Sequence, residues 1–269
     1  MIKNMITILG EFRKCFSRKA GFDNFVGVIL GVLFCQGRRL ITNITKFAKK
    51  EGCHTRLYKF FSKSSWSMDK VSDALLRILL KVLPFECDKD GKIMLHVSQD
   101  STYAEKTGKK TPGVGFFQDQ KKSRKGSKWV WGHCWMVLSV MFPVPGMGWV
   151  HFPIRCRLFV RESVVKESGG TFIPMLEVAL GLIRTTLPAD IFKLIVVADG
   201  FFAKNKYVNA LIDMDNNLVT RLRKNSIAYL PLTQEGKRGR GRPRKYGEKV
   251  KLLSYLKDKE PMRNVKVHI

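Results

Sequence analysis

The chain contains few acidic residues. Of its 269 residues, 22 are Asp or Glu and 49 are Lys or Arg, so the formal net charge is +27 at pH 7. A basic excess of this size indicates a polyanionic partner, because Lys and Arg neutralise phosphates and release their counterions. A membrane-surface role fits less well, since the basic residues are spread along the whole chain. The composition therefore favours a protein that binds nucleic acid.

The chain also lacks the usual features of membrane, secreted and zinc-binding proteins. Its longest apolar stretch, Phe25 to Cys35, is too short to span a bilayer. The N-terminus does not show the charged, apolar and small-residue order of a signal peptide. None of its six cysteines forms a C-x-x-C pair or lies among ligands at zinc-finger spacing. We therefore expect reduced thiols in a cytoplasmic, nucleoid-associated protein with no membrane partner.

Two apolar runs that are each followed by an aspartate are the most informative feature. The first runs from Ile93 to Gln99 and precedes Asp100, and the second runs from Phe192 to Ala198 and precedes Asp199. Short apolar runs rich in β-branched residues predict buried strands. Carboxylates at the ends of neighbouring strands would meet where α/β folds usually bind ligands. The pair could hold one divalent cation, although either aspartate alone is as compatible with a simple turn.

The region 1–88 predicts helices only, because its apolar residues recur at helical spacing until Pro84. Residues 38–61 have the length and turn of a helix-turn-helix. A helical hairpin with a solvated basic face would show the same pattern, so both interpretations stay open. The candidate DNA contacts in this stretch are Arg38, Arg39, Lys46 and Arg56.

From residue 91 the spacing of the apolar residues predicts a mixture of strands and helices instead of helices alone. A long basic loop from Tyr103 to Lys128 separates the first strand from the second. The later predicted elements are strands at Trp129–Met141 and Val150–Val160, a helix at Phe172–Leu187, a strand at Leu194–Ala198, a helix at Lys204–Asp213 and a strand at Asn217–Arg223. The order β-β-β-α-β-α-β is that of the RNase H-like α/β fold with a mixed sheet. In that fold the fourth strand lies parallel to the first, which would make Asp100 and Asp199 neighbours.

Several motifs between residues 90 and 250 resemble those of DDE-type insertion-sequence transposases. In chain order they are Asp100-Ser101-Thr102, Glu105 to Lys110, Gly113-Val114-Gly115, Trp131-Gly132-His133, Val197 to Phe202, Arg221 to Asn225 and Gly241 to Gly247. The resemblance implies an RNase H-like catalytic core at 89–269, which includes the start of a basic insertion from about residue 226, and a DNA-binding helical domain at 1–88. It also implies Mg²⁺ (or Mn²⁺), cleavage of double-stranded DNA at transposon ends, strand transfer into target DNA and a homodimer on DNA. The first and second catalytic acids and metal ligands carry over to Asp100 and Asp199.

The chain departs from that family pattern at two places. Gln99 stands where many relatives carry another acid. The third acid, a Glu in a Tyr-x-x-Arg-x-x-x-Glu setting, is missing, because Glu235, Glu248 and Glu260 lack that setting. A chain that stops inside the insertion, with impaired activity, is the simplest account. The alternatives are a non-catalytic DNA-end-binding inhibitor and an unrelated basic nucleic-acid-binding protein.

A basic run from Lys237 to Lys245 completes the candidate DNA contacts. Its Arg-Gly-Arg-Pro core resembles an AT-hook, whose arginines enter a narrow minor groove. A solvated loop that contacts phosphates without recognising sequence explains it better. The candidate contacts here and in the first basic loop are Lys109, Lys110, Arg238, Arg240, Arg242, Arg244 and Lys245.

Overall fold

The computed structural model describes residues 2–47, 53–108, 110–118, 129–222, 227–229 and 247–251. The chain divides into two compact units, Met1–Glu86 and Cys87–Ile269. Among the helices of the described residues, none combines the length and the apolar character needed to cross a bilayer.

The first unit is built from helices. They are α1 (Ile2–Glu11), a 3₁₀ turn (Phe12–Cys15), α2 (Lys19–Phe34), α3 (Ile41–Phe47), α4 (Cys53–Lys63) and α5 (Met68–Val82). Ser67 caps α5, because its side chain accepts a hydrogen bond from the Lys70 N–H at 3.4 Å. Phe16 and Phe60 lie in the core of this unit, and the Phe60 ring stacks on Trp66 with the centroids 5.4 Å apart. Aromatic packing therefore holds α4 against the rest of the unit.

The second unit is built around a mixed sheet. Its elements are β1 (Ile93–Glu105), β2 (Gly115–Gln118), β3 (Trp129–Val144), β4 (Gly148–Phe159), α6 (Glu162–Glu167), α7 (Met175–Thr186), β5 (Phe192–Ala198), α8 (Asn205–Asp213) and β6 (Asn217–Thr220). A separate two-stranded antiparallel sheet pairs β7 (Ile227–Tyr229) with β8 (Lys249–Lys251).

The sheet order is β2-β3-β1-β5-β6, and β4 pairs with β3 as well. β1 runs antiparallel to β3 and parallel to β5, and β5 runs parallel to β6. The mixed α/β architecture predicted from periodicity is therefore confirmed, with the fourth predicted strand beside the first.

Helix α7 covers one face of this sheet, and the alternation of side chains in the strands follows from that contact. Leu95, Val97 and Gln99 of β1 are buried, as are Leu194 and Val196 of β5. The same face meets buried residues of α7, which are Ala179, Leu180, Leu182 and Ile183. Successive side chains point to opposite faces of a strand, so Asp100 is directed away from this core. It is exposed.

Several predicted boundaries were wrong. β1 does not end at Gln99 but continues to Glu105, because β3 goes on pairing with it through Asp100↔Val137 and Glu105↔Gly132. Asp100 therefore lies inside a strand and marks only the end of its parallel pairing with β5. The stretch from Tyr103 to Lys128 is not one long loop, since it contains the end of β1 and all of β2.

Two further corrections concern helices and the last predicted strand. The periodicity did not predict α6, and α7 begins only after Pro174, whose ring suits a helix start. β6 ends at Thr220 rather than at Arg223. In α8 the face toward the core carries Tyr207 and Leu211, whereas Ile212 is exposed.

Candidate active site

The parallel ladder between β1 and β5 brings Asp100 and Asp199 together. Its last pair is Gln99↔Ala198, and the two aspartates are the next residues along the two chains. Neighbouring strands lie about 4.8 Å apart, so the two carboxylates start from adjacent backbone positions. Both side chains are exposed. The result is an acidic pair where the parallel pairing of β1 with β5 ends, in an otherwise basic protein.

Each aspartate uses one carboxylate oxygen to fix its own backbone. Asp100 Oδ1 accepts a hydrogen bond from the Ser101 N–H at 2.7 Å, and Asp199 Oδ1 accepts one from the Phe201 N–H at 2.9 Å. Among the described residues, neither Oδ2 atom has a hydrogen-bond donor. A turn-forming role and a ligand-binding role are therefore compatible, because each carboxylate keeps one oxygen for a ligand.

The loop after Asp199 is held tightly to the neighbouring strand. The Thr220 hydroxyl donates to the Asp199 carbonyl at 2.8 Å, and the Phe202 N–H donates to the same oxygen at 3.1 Å. A Cβ on Gly200 would lie 2.6 Å from the Arg221 carbonyl oxygen, so this position requires glycine. The direction of the Asp199 side chain is thus set by a loop with little freedom.

A buried hydrogen-bond network lies directly behind the carboxylates. Gln99 is 1% exposed, and its Nε2 donates to the Ala179 carbonyl of α7 at 2.8 Å. The hydroxyl of Tyr207, on α8, donates to Gln99 Oε1. Burial raises the pKa of Tyr207, which keeps this hydroxyl protonated and able to donate.

The same network reaches the loop that follows Asp199. The Phe202 ring, which is fully buried, packs on Tyr207 with the centroids 5.1 Å apart. One chain of contacts therefore connects the residue before Asp100 with the loop after Asp199. The sequence analysis missed this role for Gln99 and Tyr207. The sequence did contain a signal for Gln99. It occupies the same alternating positions of β1 as the apolar residues Leu95 and Val97, which form the buried face of the strand.

The sulfur and imidazole groups nearby have other roles. Burial, and secondarily the negative charge of Asp100, raises the pKa of the Cys134 thiol to about 12, so this thiol stays neutral near pH 7. His133 Nε2 lies 2.9 Å from the Pro112 carbonyl oxygen, which accepts its hydrogen bond. Neither group is free to bind a metal in the way that the two carboxylates are.

Two carboxylates, rather than three, define the site in the part of the chain that the structure describes. In that part, no cluster of three or more His, Cys, Asp or Glu side chains could hold a metal ion. Glu248 is exposed beside β8, and Glu235 and Glu260 lie outside the described residues. Two exposed carboxylates, each with one oxygen left over, still fit Mg²⁺ or Mn²⁺, because such hard cations bind through one or two carboxylates and keep several waters.

The predicted DNA contacts are distributed over both units. Arg38 and Arg39 lie between α2 and α3, Lys46 lies on α3, and the half-buried Arg56 lies on α4. Lys110 is exposed beside a turn before β2. The predicted contacts that fall outside the described residues are Lys109, Arg238, Arg240, Arg242, Arg244 and Lys245.

The predicted helix-turn-helix corresponds to α3 and α4. Its turn, at 48–52, also lies outside the described residues. These basic side chains therefore stay predicted contacts, with two helices of the right order but without a described turn between them.

Comparison with known proteins adds one match. The family model described as DDE superfamily endonuclease matches residues 11–268, which is nearly the whole chain. No curated protein matches the chain.

Proposed function

The chain belongs to the DDE superfamily endonucleases, and from this premise we propose that it is the transposase of a bacterial insertion sequence. Its substrate would be double-stranded DNA, first at the transposon ends and then at the target. The observation that carries the proposal is the Gln99↔Ala198 register, which makes Asp100 and Asp199 adjacent. The RNase H-like fold of the family gives that acidic pair its place in the sheet.

The geometry of the site supports the following proposed roles for its residues. Asp100 and Asp199 would hold a divalent cation through their Oδ2 atoms, while each Oδ1 keeps its backbone hydrogen bond. When bound, Mg²⁺ or Mn²⁺ stabilises the attacking and leaving oxygens of phosphodiester cleavage. The attacking group would be water or a DNA 3′-hydroxyl.

The two units would divide the work. We propose that the helical region 1–88 binds transposon ends with Arg38, Arg39, Lys46 and Arg56, and that 89–269 is the catalytic core. The basic insertion from about residue 226 would contact phosphates through its arginines and Lys245. Assembly as a homodimer on DNA, in the nucleoid of the cytoplasm, completes this proposal.

A second candidate function is a DNA-end-binding module that does not cut and so inhibits transposition. The observation that favours it is that the described residues contain no third carboxylate at the acidic pair. With two acids, the site would hold its cation weakly and cleave slowly. The endonuclease and the binder therefore differ in cutting, and both require duplex DNA.

The acidic pair is tested by calorimetric titration of Mn²⁺. Asp100→Asn and Asp199→Asn should each weaken Mn²⁺ binding tenfold or more, because each substitution removes a charged oxygen ligand. Asp213→Asn is the matched control, since Asp213 is exposed at the end of α8 in the same unit. Equal affinities in all three variants would contradict the metal site.

Nicking of a supercoiled plasmid in Mn²⁺ separates the two functions. An endonuclease produces open circles that disappear with Asp100→Asn, whereas a binding module retards the plasmid in a gel and leaves it intact. Cleavage that survives both Asp100→Asn and Asp199→Asn would contradict the catalytic roles given to the pair.

A further inference from the structure

A polar cavity of about 370 Å³ opens on the helical unit between α2 and α4. Its lining is Asn24 from α2, Thr55, Arg56, Lys59 and Phe60 from α4, and Ser64 just beyond α4. Phe60 is 2% exposed and is held by its stack on Trp66, so the floor of the cavity is anchored in the core. Phe60 holds α4 in place, and α4 carries three of the polar lining residues, so their backbone loses little conformational entropy when a ligand binds.

The polar side chains of this lining have one property in common. Among the described residues, none of the side chains of Asn24, Thr55, Arg56, Lys59 and Ser64 has a hydrogen-bond or ion-pair partner. Some cations of the same unit are paired, as Lys19 is with Asp23 at 3.3 Å and Lys81 is with Glu11 at 3.2 Å. Two cations and three neutral hydrogen-bonding groups therefore line one space, and the described part of the chain supplies no acceptor for them.

The chemistry of the lining selects an oxyanion. The described residues of the lining include no carboxylate, and their guanidinium, ammonium, hydroxyl and amide groups can all donate hydrogen bonds. An Arg fork suits two phosphate oxygens at once, and a Lys adds a point charge. We propose that this cavity is a phosphate-binding site that receives one backbone phosphate of duplex DNA. Contacts of this kind position a protein on DNA without recognising sequence.

The inference rests on the proposed function for its choice of duplex DNA as the phosphate polymer. It goes beyond the earlier prediction for Arg56, because it adds four partners and requires that they act on a single phosphate. That requirement gives a quantitative signature. The slope of log K against log salt changes by about 0.9 for each phosphate neutralised in B-DNA.

The test measures binding of the full-length chain to a fluorescent duplex, without divalent metal, over a range of salt concentrations. Arg56→Gln and Lys59→Gln should each weaken binding about tenfold at low salt. The double variant should reduce the magnitude of this slope by about 0.9, which is the value for one phosphate. A reduction of about 1.8 would mean that the two side chains neutralise two separate phosphates. Thr55→Val should also weaken binding severalfold, although it leaves the net charge unchanged.

Lys63→Gln is the matched control, because Lys63 is exposed on the same helix but does not line the cavity. Since the side chains of Arg56 and Lys59 make no hydrogen bond or ion pair with the described residues, circular dichroism melting curves of all the variants should match that of the unsubstituted chain. An equal loss of affinity with Lys63→Gln, no effect of Thr55→Val, or a slope change near 1.8 would each overturn the single-phosphate site, as would a failure of the chain to bind duplex.

The outcome is distinguishable from that of the proposed function. The cavity assay contains no Mn²⁺, and the Mn²⁺ titration contains no DNA. If Asp100→Asn loses Mn²⁺ binding while the cavity variants bind duplex DNA like the unsubstituted chain, the nuclease site is supported and the phosphate-binding cavity is rejected. The reverse result would retain a duplex-binding helical unit and reject the nuclease site.

Discussion

Tyr207 is fully buried, and its hydroxyl nevertheless has a partner, because Gln99 accepts its hydrogen bond from the neighbouring strand. Gln99 uses its other end to donate to α7, so a single side chain satisfies two elements. An acid at position 99 could accept the Tyr207 hydrogen bond but, when ionised, could not donate to the Ala179 carbonyl. This double use of the amide explains why glutamine suits the position beside Asp100.

Tyr207→Phe should lower the free energy of unfolding by about 1–3 kcal/mol, because it leaves Gln99 Oε1 buried without a donor. Urea denaturation of the two proteins measures the difference. Tyr58→Phe is the matched control, since Tyr58 is 55% exposed and its loss should change stability by less than about 0.5 kcal/mol. A Tyr207→Phe protein as stable as the control would mean that the buried network contributes nothing.

The sequence located Asp100 and Asp199 as neighbours but did not indicate what supports them. The aspartates follow apolar runs whose pattern is visible over a few residues. The partnership of Gln99 with Tyr207 joins positions on different elements, and only the packing of α8 against the sheet decides it. Local patterns carry no record of such a contact.

At the scale of elements, the backbone pairing of a strand continues beyond the stretch in which its apolar and polar residues alternate. β1 passes Asp100 and reaches Glu105 because β3 offers hydrogen-bonding groups along the whole length, whatever the side chains are. For the same reason β2 forms on β3 within a stretch whose composition predicted a loop. At Gly132 of β3, a Cβ would lie 2.2 Å from the Ala104 carbonyl oxygen, so the glycine of the Trp-Gly-His motif permits this close pairing.

Gly200→Ala should destabilise the turn between β5 and α8 by about 1–3 kcal/mol, because the new Cβ meets the Arg221 carbonyl oxygen, a backbone atom that cannot rotate away. Gly181→Ala on α7 is the matched control. Outside the backbone of its own helix, no atom of the described residues lies within 4 Å of the added Cβ, so the substitution should stabilise the helix by about 0.5–1 kcal/mol.

Thermal or urea unfolding of both variants measures the two effects. A Gly200→Ala protein that gains stability as Gly181→Ala does would show that the turn has room to relax, and that Asp199 is less firmly placed than the contacts indicate.

At the scale of the whole molecule, charge is the dominant property. The net charge of +27 is carried by both units, because Lys and Arg outnumber Asp and Glu in each. The order of helices first and a mixed sheet afterwards could be predicted from periodicity, because long amphipathic segments give a strong signal. The short elements α6 and β2 could not, since four to six residues carry too little pattern.

The affinity of the whole chain for duplex DNA should fall steeply with salt. A protein that makes 6–10 phosphate contacts loses about 10³–10⁵ in affinity between 50 and 200 mM salt, and a chain with this charge should fall in that range. Fluorescence anisotropy at several salt concentrations measures the slope. A flat log–log plot would contradict phosphate neutralisation as the source of binding.

The parallel pairing of β1 with β5 joins Gln99 to Ala198 across a long intervening stretch of chain. We expect contacts between residues so far apart in sequence to form late in folding, because closing the intervening loop costs entropy before the strand pairing contributes any stability. During synthesis the helical region leaves the ribosome well before β5 does. A nascent chain interrupted before Phe192 would therefore carry the basic helices and only half of the acidic pair.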